Sequence, residues 1–312
     1  MIQKILGFYT RYFAIWVVIF GVVAYLWPGP FAAMKGWMDW FFAATMFGIG
    51  AVLETEDFKR IVRKPAIVLI GMCVQYVVVP IGAYAIAKIF RLEPEIAVGV
   101  ILTASAPGAM SSGVMNYIAK ADVAYSVSLT TVSTLIAPVM TPGLTYILAG
   151  SVLKVPFWPM LLDVVWMVIG PLLIGFGVRC YFKDKVEKIL PVFPAVSATF
   201  IIFICSLVIA LNKDYLGKVT GPVLGAGVVL NIFGMVAGYV VAWVFRMDVR
   251  QRRTLSIEGG MQNAGLGTVL ALEHFGERAA MPAAIFVFIC IITASMMAAV
   301  WQRRPGKLVR QT

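Results

Sequence analysis

Long apolar stretches alternate with short polar connections along this chain of 312 residues. Each stretch is close to the roughly 20 apolar residues that one transmembrane helix needs, so the pattern predicts ten spans. The predicted spans are residues 12–27, 37–53, 65–89, 96–119, 123–150, 155–179, 193–211, 221–245, 254–274 and 279–301. They occupy nearly the whole length, which predicts an all-α membrane protein without a sizeable soluble domain.

Composition and charge agree with this interpretation. The chain is 61% hydrophobic and 13% charged, whereas soluble domains carry about 25% charged residues. The net charge of +11 would suggest a nucleic-acid partner in a soluble protein, but 19 of the 26 basic residues fall in the termini and in alternate loops. By the positive-inside rule this asymmetry predicts cytoplasmic termini in an inner (cytoplasmic) membrane, with the bilayer rather than nucleic acid as the partner.

The first apolar stretch follows Lys4 and Arg11 and ends at a Trp-Pro-Gly-Pro sequence, residues 27–30. It has no clear small-residue cleavage site, so we expect a retained span rather than a removed signal peptide.

Two polar, glycine-rich interruptions fall within the apolar pattern. Residues 106–113 (APGAMSSG) interrupt the fourth span, and residues 258–265 (EGGMQNAG) interrupt the ninth. Two groups of five spans have opposite orientations, so both interruptions hold the same place in an inverted repeat, about 12–150 and 155–301. Gly and Pro disfavour helix and free backbone polar groups at membrane depth, a pattern typical of transporter binding sites.

Glu258 is the strongest candidate for chemistry in these interruptions. A carboxylate within a span is expensive unless it has a function. Gln262 and Asn263 follow at i+4 and i+5, so three oxygen-bearing side chains can converge on one small cation. One carboxylate suits a monovalent ion better than calcium. The alternative is a Glu near the cytoplasmic edge that pairs with Arg252 or Arg253.

Other polar residues lie at membrane depth. Gln75 precedes Pro80 in the third span, and the fifth span has a Ser/Thr-rich run in which Ser126 and Thr130 share one helical face. Most single Ser or Thr residues in such spans serve helix packing. Asp163 in the sixth span is either interfacial or functional.

The inventory of reactive side chains argues against an enzyme. The four cysteines, Cys73, Cys180, Cys205 and Cys290, are isolated, so we expect packing roles rather than disulfides or zinc. The one histidine, His274, lies near a predicted helix end and leaves no material for a Ser-His-Asp triad or a histidine-rich metal centre.

The run 255–266 (LSIEGGMQNAGL) resembles the signature of the bile acid:sodium symporter family. Further similar stretches are 47–50, Gln75 with Pro80, 97–102 and 123–142, so the resemblance covers nearly the whole chain. It implies a ten-helix fold of two inverted five-helix repeats. Spans 1, 2, 6 and 7 would form a panel domain, spans 3, 4, 5, 8, 9 and 10 a core domain, and discontinuous spans 4 and 9 would cross.

The resemblance also implies function. It predicts sodium-coupled symport of an organic anion, either bile-acid-like or a small keto or hydroxy acid, by alternating access. Sodium would be the coupling ion, with no cofactor, no other metal and no obligate protein partner. One sodium site would use Gln75, Glu258, Gly259, Met261 and Gln262. The other would use Ser112, Ser126, Thr130 and Glu258, together with the residue at position 113.

This chain departs from the family pattern in three places. Position 113 is Gly where relatives have Asn, which removes one neutral ligand from the Ser112 site. Cys290 and Ile291 stand where familiar bacterial members have a His-Asn pair, and Met110 replaces a Thr. The predicted substrate contacts are Met110, Ser111, Asn263 and Cys290, in a crevice less polar than in those relatives.

Other functions remain open on the residues alone. Glu258 could carry a proton instead of binding sodium, or the same fold could move an anion without sodium. An arsenite-type exporter, a passive channel or sensor, and an intramembrane enzyme are weaker alternatives.

Overall fold

The computed structural model describes residues 12–56, 65–182 and 192–303, together with residues 6, 9, 186, 187, 189 and 190. Regular structure in this part of the chain is helical, without a β-strand, which confirms the all-α prediction. The helices are α1 (Phe13–Leu26), α2 (Pro28–Ala32), α3 (Met38–Gly50), α4 (Pro65–Cys73), α5 (Val79–Ile89), α6 (Pro94–Ser105), α7 (Ser112–Ile118), α8 (Val123–Ala149), α9 (Phe157–Val164), α10 (Gly170–Tyr181), α11 (Val192–Leu211), α12 (Lys213–Val244), α13 (Val249–Gly260), α14 (Ala264–Phe275) and α15 (Glu277–Arg303).

Several helical segments can cross a membrane. Five are long and apolar enough by length and composition, namely Pro65–Ile89, Val123–Ala149, Phe157–Tyr181, Gly221–Val244 and Glu277–Arg303. A sixth is added if Ile15–Leu26 and Pro28–Gly50, which bend by 106° at their junction, count as one span. The chain is therefore a multi-pass membrane protein, and the full count of ten spans stays a prediction.

Part of the predicted charge asymmetry cannot be placed. Basic residues at 4, 11, 59, 60, 63, 64, 183, 185, 188, 304, 307 and 310 lie outside the described residues.

Prolines shape two of the spanning segments. A π-helical turn at Val74–Val78 joins α4 to α5, and another at Val165–Ile169 joins α9 to α10. Pro80 and Pro171 follow these turns, and each lacks the N–H that a regular helix would use. A π turn accommodates the missing hydrogen bond. The first of the two turns contains the buried Gln75.

The helices pack in two groups. In one group, α11 packs against α1 and α3, and α10 packs against α3. In the other, α12 packs against α13, α14 packs against α15, and α15 also contacts α6 and α12. The groups meet where α11 contacts α14 and α15. Both are built on apolar clusters, so burial of apolar surface holds each of them together.

Two chain breaks cross each other in the second group. The first break, residues 106–111, separates α6 from α7, and the second, residues 261–263, separates α13 from α14. Their backbones run antiparallel: Ala109 N donates to Met261 O at 3.0 Å, and Asn263 N donates to Pro107 O at 2.7 Å. The crossing therefore satisfies backbone groups that a broken helix would otherwise leave unpaired. Both sequence interruptions are real breaks between helices.

Candidate ion-binding site

Glu258 is fully buried in the last turn of α13, with 0% of its surface exposed. It precedes the second break by three residues instead of opening it, as the sequence pattern had suggested. None of the ion pairs between described residues includes Glu258. Arg252 and Arg253 donate instead to the backbone carbonyls of Met247 and Ala119, so the expected alternative of an arginine-paired glutamate is wrong.

Four neutral side chains surround the Glu258 carboxylate. Oε1 accepts hydrogen bonds from Ser112 Oγ at 2.5 Å, from Asn116 Nδ2 at 3.2 Å and from Ser126 Oγ. Oε2 accepts one from Thr130 Oγ1 at 3.1 Å. These five buried residues, which we call the carboxylate pocket, come from α7, α8 and α13.

Helical periodicity explains how each helix contributes. Ser126 and Thr130 are four residues apart on one face of α8, as Ser112 and Asn116 are on α7. The break between α6 and α7 also matters, because a Cβ atom at Gly108 would lie 3.0 Å from Glu258 Oε2. Only glycine lets the backbone of the first break approach the carboxylate this closely.

Asn116 is a pocket residue that the sequence analysis missed. The predicted ligand position 113 is half-buried, and nothing lies within 4 Å of where its Cβ would be. The amide in the pocket comes instead from Asn116, one helical turn after Ser112. The i, i+4 spacing from Ser112 could have identified it from the sequence, since both residues fall on the same helical face.

A second polar pocket lies where the two breaks meet the π turn. Gln75 Nε2 donates to Gln262 Oε1 and to Ala106 O, the latter at 3.4 Å. Gln262 Nε2 donates to Gly259 O at 3.3 Å. We call Gln75, Gln262 and the carbonyls of Ala106 and Gly259 the amide pocket. Of the residues predicted for this sodium site, Met261 uses its carbonyl to join the two breaks.

The predicted substrate contacts separate into two groups. Met110 is half-buried and Ser111 is exposed, both in the first break. Asn263 lies in the second break, where its Oδ1 accepts from Leu266 N at 3.1 Å and caps α14. Cys290, in contrast, is buried in α15 and donates to Val287 O at 3.4 Å. The crossing thus gathers Met110, Ser111 and Asn263, whereas Cys290 packs in the apolar interior.

Asp163 and His274 form a pair away from these pockets. Asp163 Oδ2 lies 2.9 Å from His274 Nε2, and the Asp163 side chain is 39% exposed. His274 is in the last turn of α14, as the sequence predicted. This placement favours the interfacial interpretation of Asp163.

The two pockets favour a monovalent cation. Among the described residues, no group of three or more His, Cys, Asp or Glu side chains could hold a metal ion, so a transition-metal centre is not supported there. Oxygen ligands with a single carboxylate match a hard cation of low charge. Each hydroxyl keeps lone pairs that can face a cation while its hydrogen points to the carboxylate.

Comparison with known proteins identifies the family. The model of the sodium bile acid symporter family matches residues 41–219. "Uncharacterized sodium-dependent transporter YocS" of Bacillus subtilis (strain 168) is 37% identical over 308 residues, which cover 98% of this chain and 96% of that protein. "Probable sodium/metabolite cotransporter BASS1, chloroplastic" of Arabidopsis thaliana is 33% identical, covering 95% of this chain and 74% of the relative. These matches confirm the predicted resemblance, and the chain belongs to the sodium bile acid symporter family.

Proposed function

We propose that this protein is a secondary active transporter that couples the movement of an organic anion to sodium. The observation that carries the proposal is Glu258, a fully buried carboxylate with four neutral polar partners and no ion pair among the described residues. A buried charge of this kind requires a compensating cation or proton. The names of two relatives, a sodium-dependent transporter and a sodium/metabolite cotransporter, favour sodium.

Sodium would bind at both pockets. In the carboxylate pocket the ligands would be Ser112, Ser126, Thr130 and Glu258. In the amide pocket they would be Gln75, Glu258, Gln262 and the carbonyls of Gly259 and Met261. Because Glu258 and Gln262 flank the second break, an ion at either pocket would favour one arrangement of the crossing. Coupling then follows if that arrangement also binds the anion better.

The anion would bind at the crossing of the two breaks. Met110, Ser111 and Asn263 lie there, and α14 begins at Asn263 with its positive dipole end facing the break. Cys290, the fourth proposed contact, would become accessible only if the surrounding helices separate. The substrate class is a bile-acid-like anion or a small keto or hydroxy acid.

The proposed architecture has ten spans in two inverted repeats, residues 12–150 and 155–301. The group built on α1, α3, α9, α10 and α11 would be the panel domain, and the remaining helices the core domain. Support comes from the packing of α11 and α10 on α3, separate from the packing around α15. Alternating access would move the core against the panel in the inner membrane, with both termini cytoplasmic.

The test is sodium-driven uptake by protein reconstituted in liposomes. Taurocholate and pyruvate represent the two substrate sizes, and radioactive sodium reports ion binding directly. Glu258→Ala should abolish sodium binding and sodium-stimulated uptake, because it removes the only charge in either pocket. Glu273→Ala, at an exposed glutamate in α14, is the matched control and should behave like the parent protein. Sodium-stimulated uptake by Glu258→Ala would refute the assignment.

A proton-coupled transporter is the second candidate. The same observation supports it, because a fully buried carboxylate can be neutralised by a proton as well as by sodium. Uptake measured against pH in choline buffer distinguishes the two. Uptake driven by a pH gradient without sodium would favour the proton, and uptake insensitive to both gradients would indicate sodium-independent transport.

A further inference from the structure

We propose that Asn116 is the amide ligand of the cation in the carboxylate pocket and supplies the oxygen that Gly113 cannot. This inference rests on the proposed function, because it names a ligand of the proposed ion. Asn116 lies in the middle of α7, is 0% exposed and contacts Glu258 directly.

The hydrogen bonding of the Asn116 side chain is unbalanced. Nδ2 lies within reach of three acceptors: Ser112 O at 3.0 Å, Ser126 Oγ at 3.0 Å and Glu258 Oε1 at 3.2 Å. An amide nitrogen has only two hydrogens, so one acceptor is in excess. Oδ1, in contrast, is buried and has no hydrogen-bond partner. Buried amide oxygens normally have a partner, so this oxygen has an unused capacity to accept.

A cation resolves this imbalance. Rotation of the amide by half a turn about Cβ–Cγ exchanges Oδ1 and Nδ2, so that Oδ1 faces Ser126 Oγ and Glu258 Oε1. Three oxygens then lie about 3 Å from one another, close to the spacing of oxygens that share a cation at about 2.4 Å. Asn116 can thus donate to the carboxylate when it holds no cation and coordinate the cation when one is bound.

Unpaired amide oxygens also occur elsewhere in the described structure, so the location of Asn116 is decisive. Asn212 and Asn231 have buried Oδ1 atoms without partners, and their Nδ2 atoms donate only to backbone carbonyls. Of these three, only Asn116 contacts a carboxylate. Asn212 is therefore the matched control, since its loss removes a buried amide at a position outside both pockets.

Position 113 provides a rescue variant. The residue is half-buried, and the space around a Cβ there is open, so a larger side chain fits at the start of α7. Gly113→Asn combined with Asn116→Ala returns one amide to the same helix three residues earlier.

The experiment is thermal unfolding of purified protein against sodium chloride, with choline chloride holding ionic strength constant. Asn116→Ala should raise the sodium Kd by at least about tenfold, the loss expected when a group orienting a metal site is removed. Asn212→Ala should lower the unfolding midpoint and leave the Kd within about twofold of the parent value. Gly113→Asn in the Asn116→Ala background should restore part of the affinity.

Lithium titrations provide a second readout, because removing a ligand changes the lithium-to-sodium affinity ratio and a purely structural change does not. A parental sodium Kd and ion ratio in Asn116→Ala overturn the inference while the proposed function stands. No sodium-dependent shift in the parent protein overturns the proposed function as well. If Asn116→Ala does not fold, Asn116→Thr keeps a hydroxyl in the pocket, and an unchanged ion ratio in that variant also overturns the inference.

Discussion

The carboxylate pocket and the amide pocket are both buried at the crossing, yet they solve different problems. The carboxylate pocket contains a full charge, held by side chains from three helices. The amide pocket contains no charged side chain, and its two glutamines hydrogen bond to each other. A neutral amide pair can satisfy itself, whereas a buried carboxylate needs a cation or proton. We therefore expect the carboxylate pocket to set cation affinity and the amide pocket to set the geometry of the crossing.

The largest effect should come from separating α12 and α13, which supports both pockets. A Cβ atom at Gly234 would lie 2.0 Å from the carbonyl oxygen of Gly259. Gly234→Ala must displace α13, so we expect about 3 kcal/mol of lost stability or more, and loss of sodium binding. Gly221→Ala is the control on the same helix, because nothing lies within 4 Å of its Cβ position. Equal unfolding midpoints for the two variants would contradict this packing.

A smaller effect is expected inside the carboxylate pocket. Ser126→Ala removes a hydroxyl that donates to Glu258, and a hydrogen bond to a charged group contributes about 1.5–3 kcal/mol. The sodium Kd should rise about ten- to a hundredfold. Ser128→Ala, on the same helix, removes only a bond to Ala124 O and should leave the Kd unchanged. Radioactive sodium binding measures both, and similar losses in the two serine variants would argue against the pocket.

The smallest effect should arise in the amide pocket. Gln75→Ala and Gln262→Ala each remove the same neutral hydrogen bond, worth about 1 kcal/mol, so each should weaken sodium binding about fivefold. Because the two side chains act on each other, the double variant should lose less than the two single losses combined. Additive losses in such a double-mutant cycle would show that the glutamines act independently.

The sequence pattern identified much of this site. Glu258 stands out because a carboxylate in an apolar span is rare, and the clustered Gly and Pro residues located both breaks to within a few residues. Ser126 and Thr130 were paired correctly from their i, i+4 spacing, and the structure brings both to Glu258. Local periodicity predicts which residues share a helical face, so these assignments did not require a tertiary structure.

Asn116 shows where this reasoning stopped. Sequence comparison directs attention to position 113, where a ligand is missing, but a missing side chain does not indicate what replaces it. Asn116 looks like an ordinary polar residue near a helix end until α7 is packed against α8 and α13. The partners of Gln75 were likewise hidden, because Gln262 lies 187 residues away along the chain.

By itself the sequence determined the helical, membrane-embedded class of the protein, the position of its two breaks and the residue most costly to bury. These features depend on hydrophobicity and backbone propensity, which act locally along the chain. Only the tertiary structure decided which polar groups surround Glu258, and that the breaks hydrogen bond to each other. Those outcomes depend on helices far apart in sequence meeting at short distances, and no local pattern encodes the distances between them.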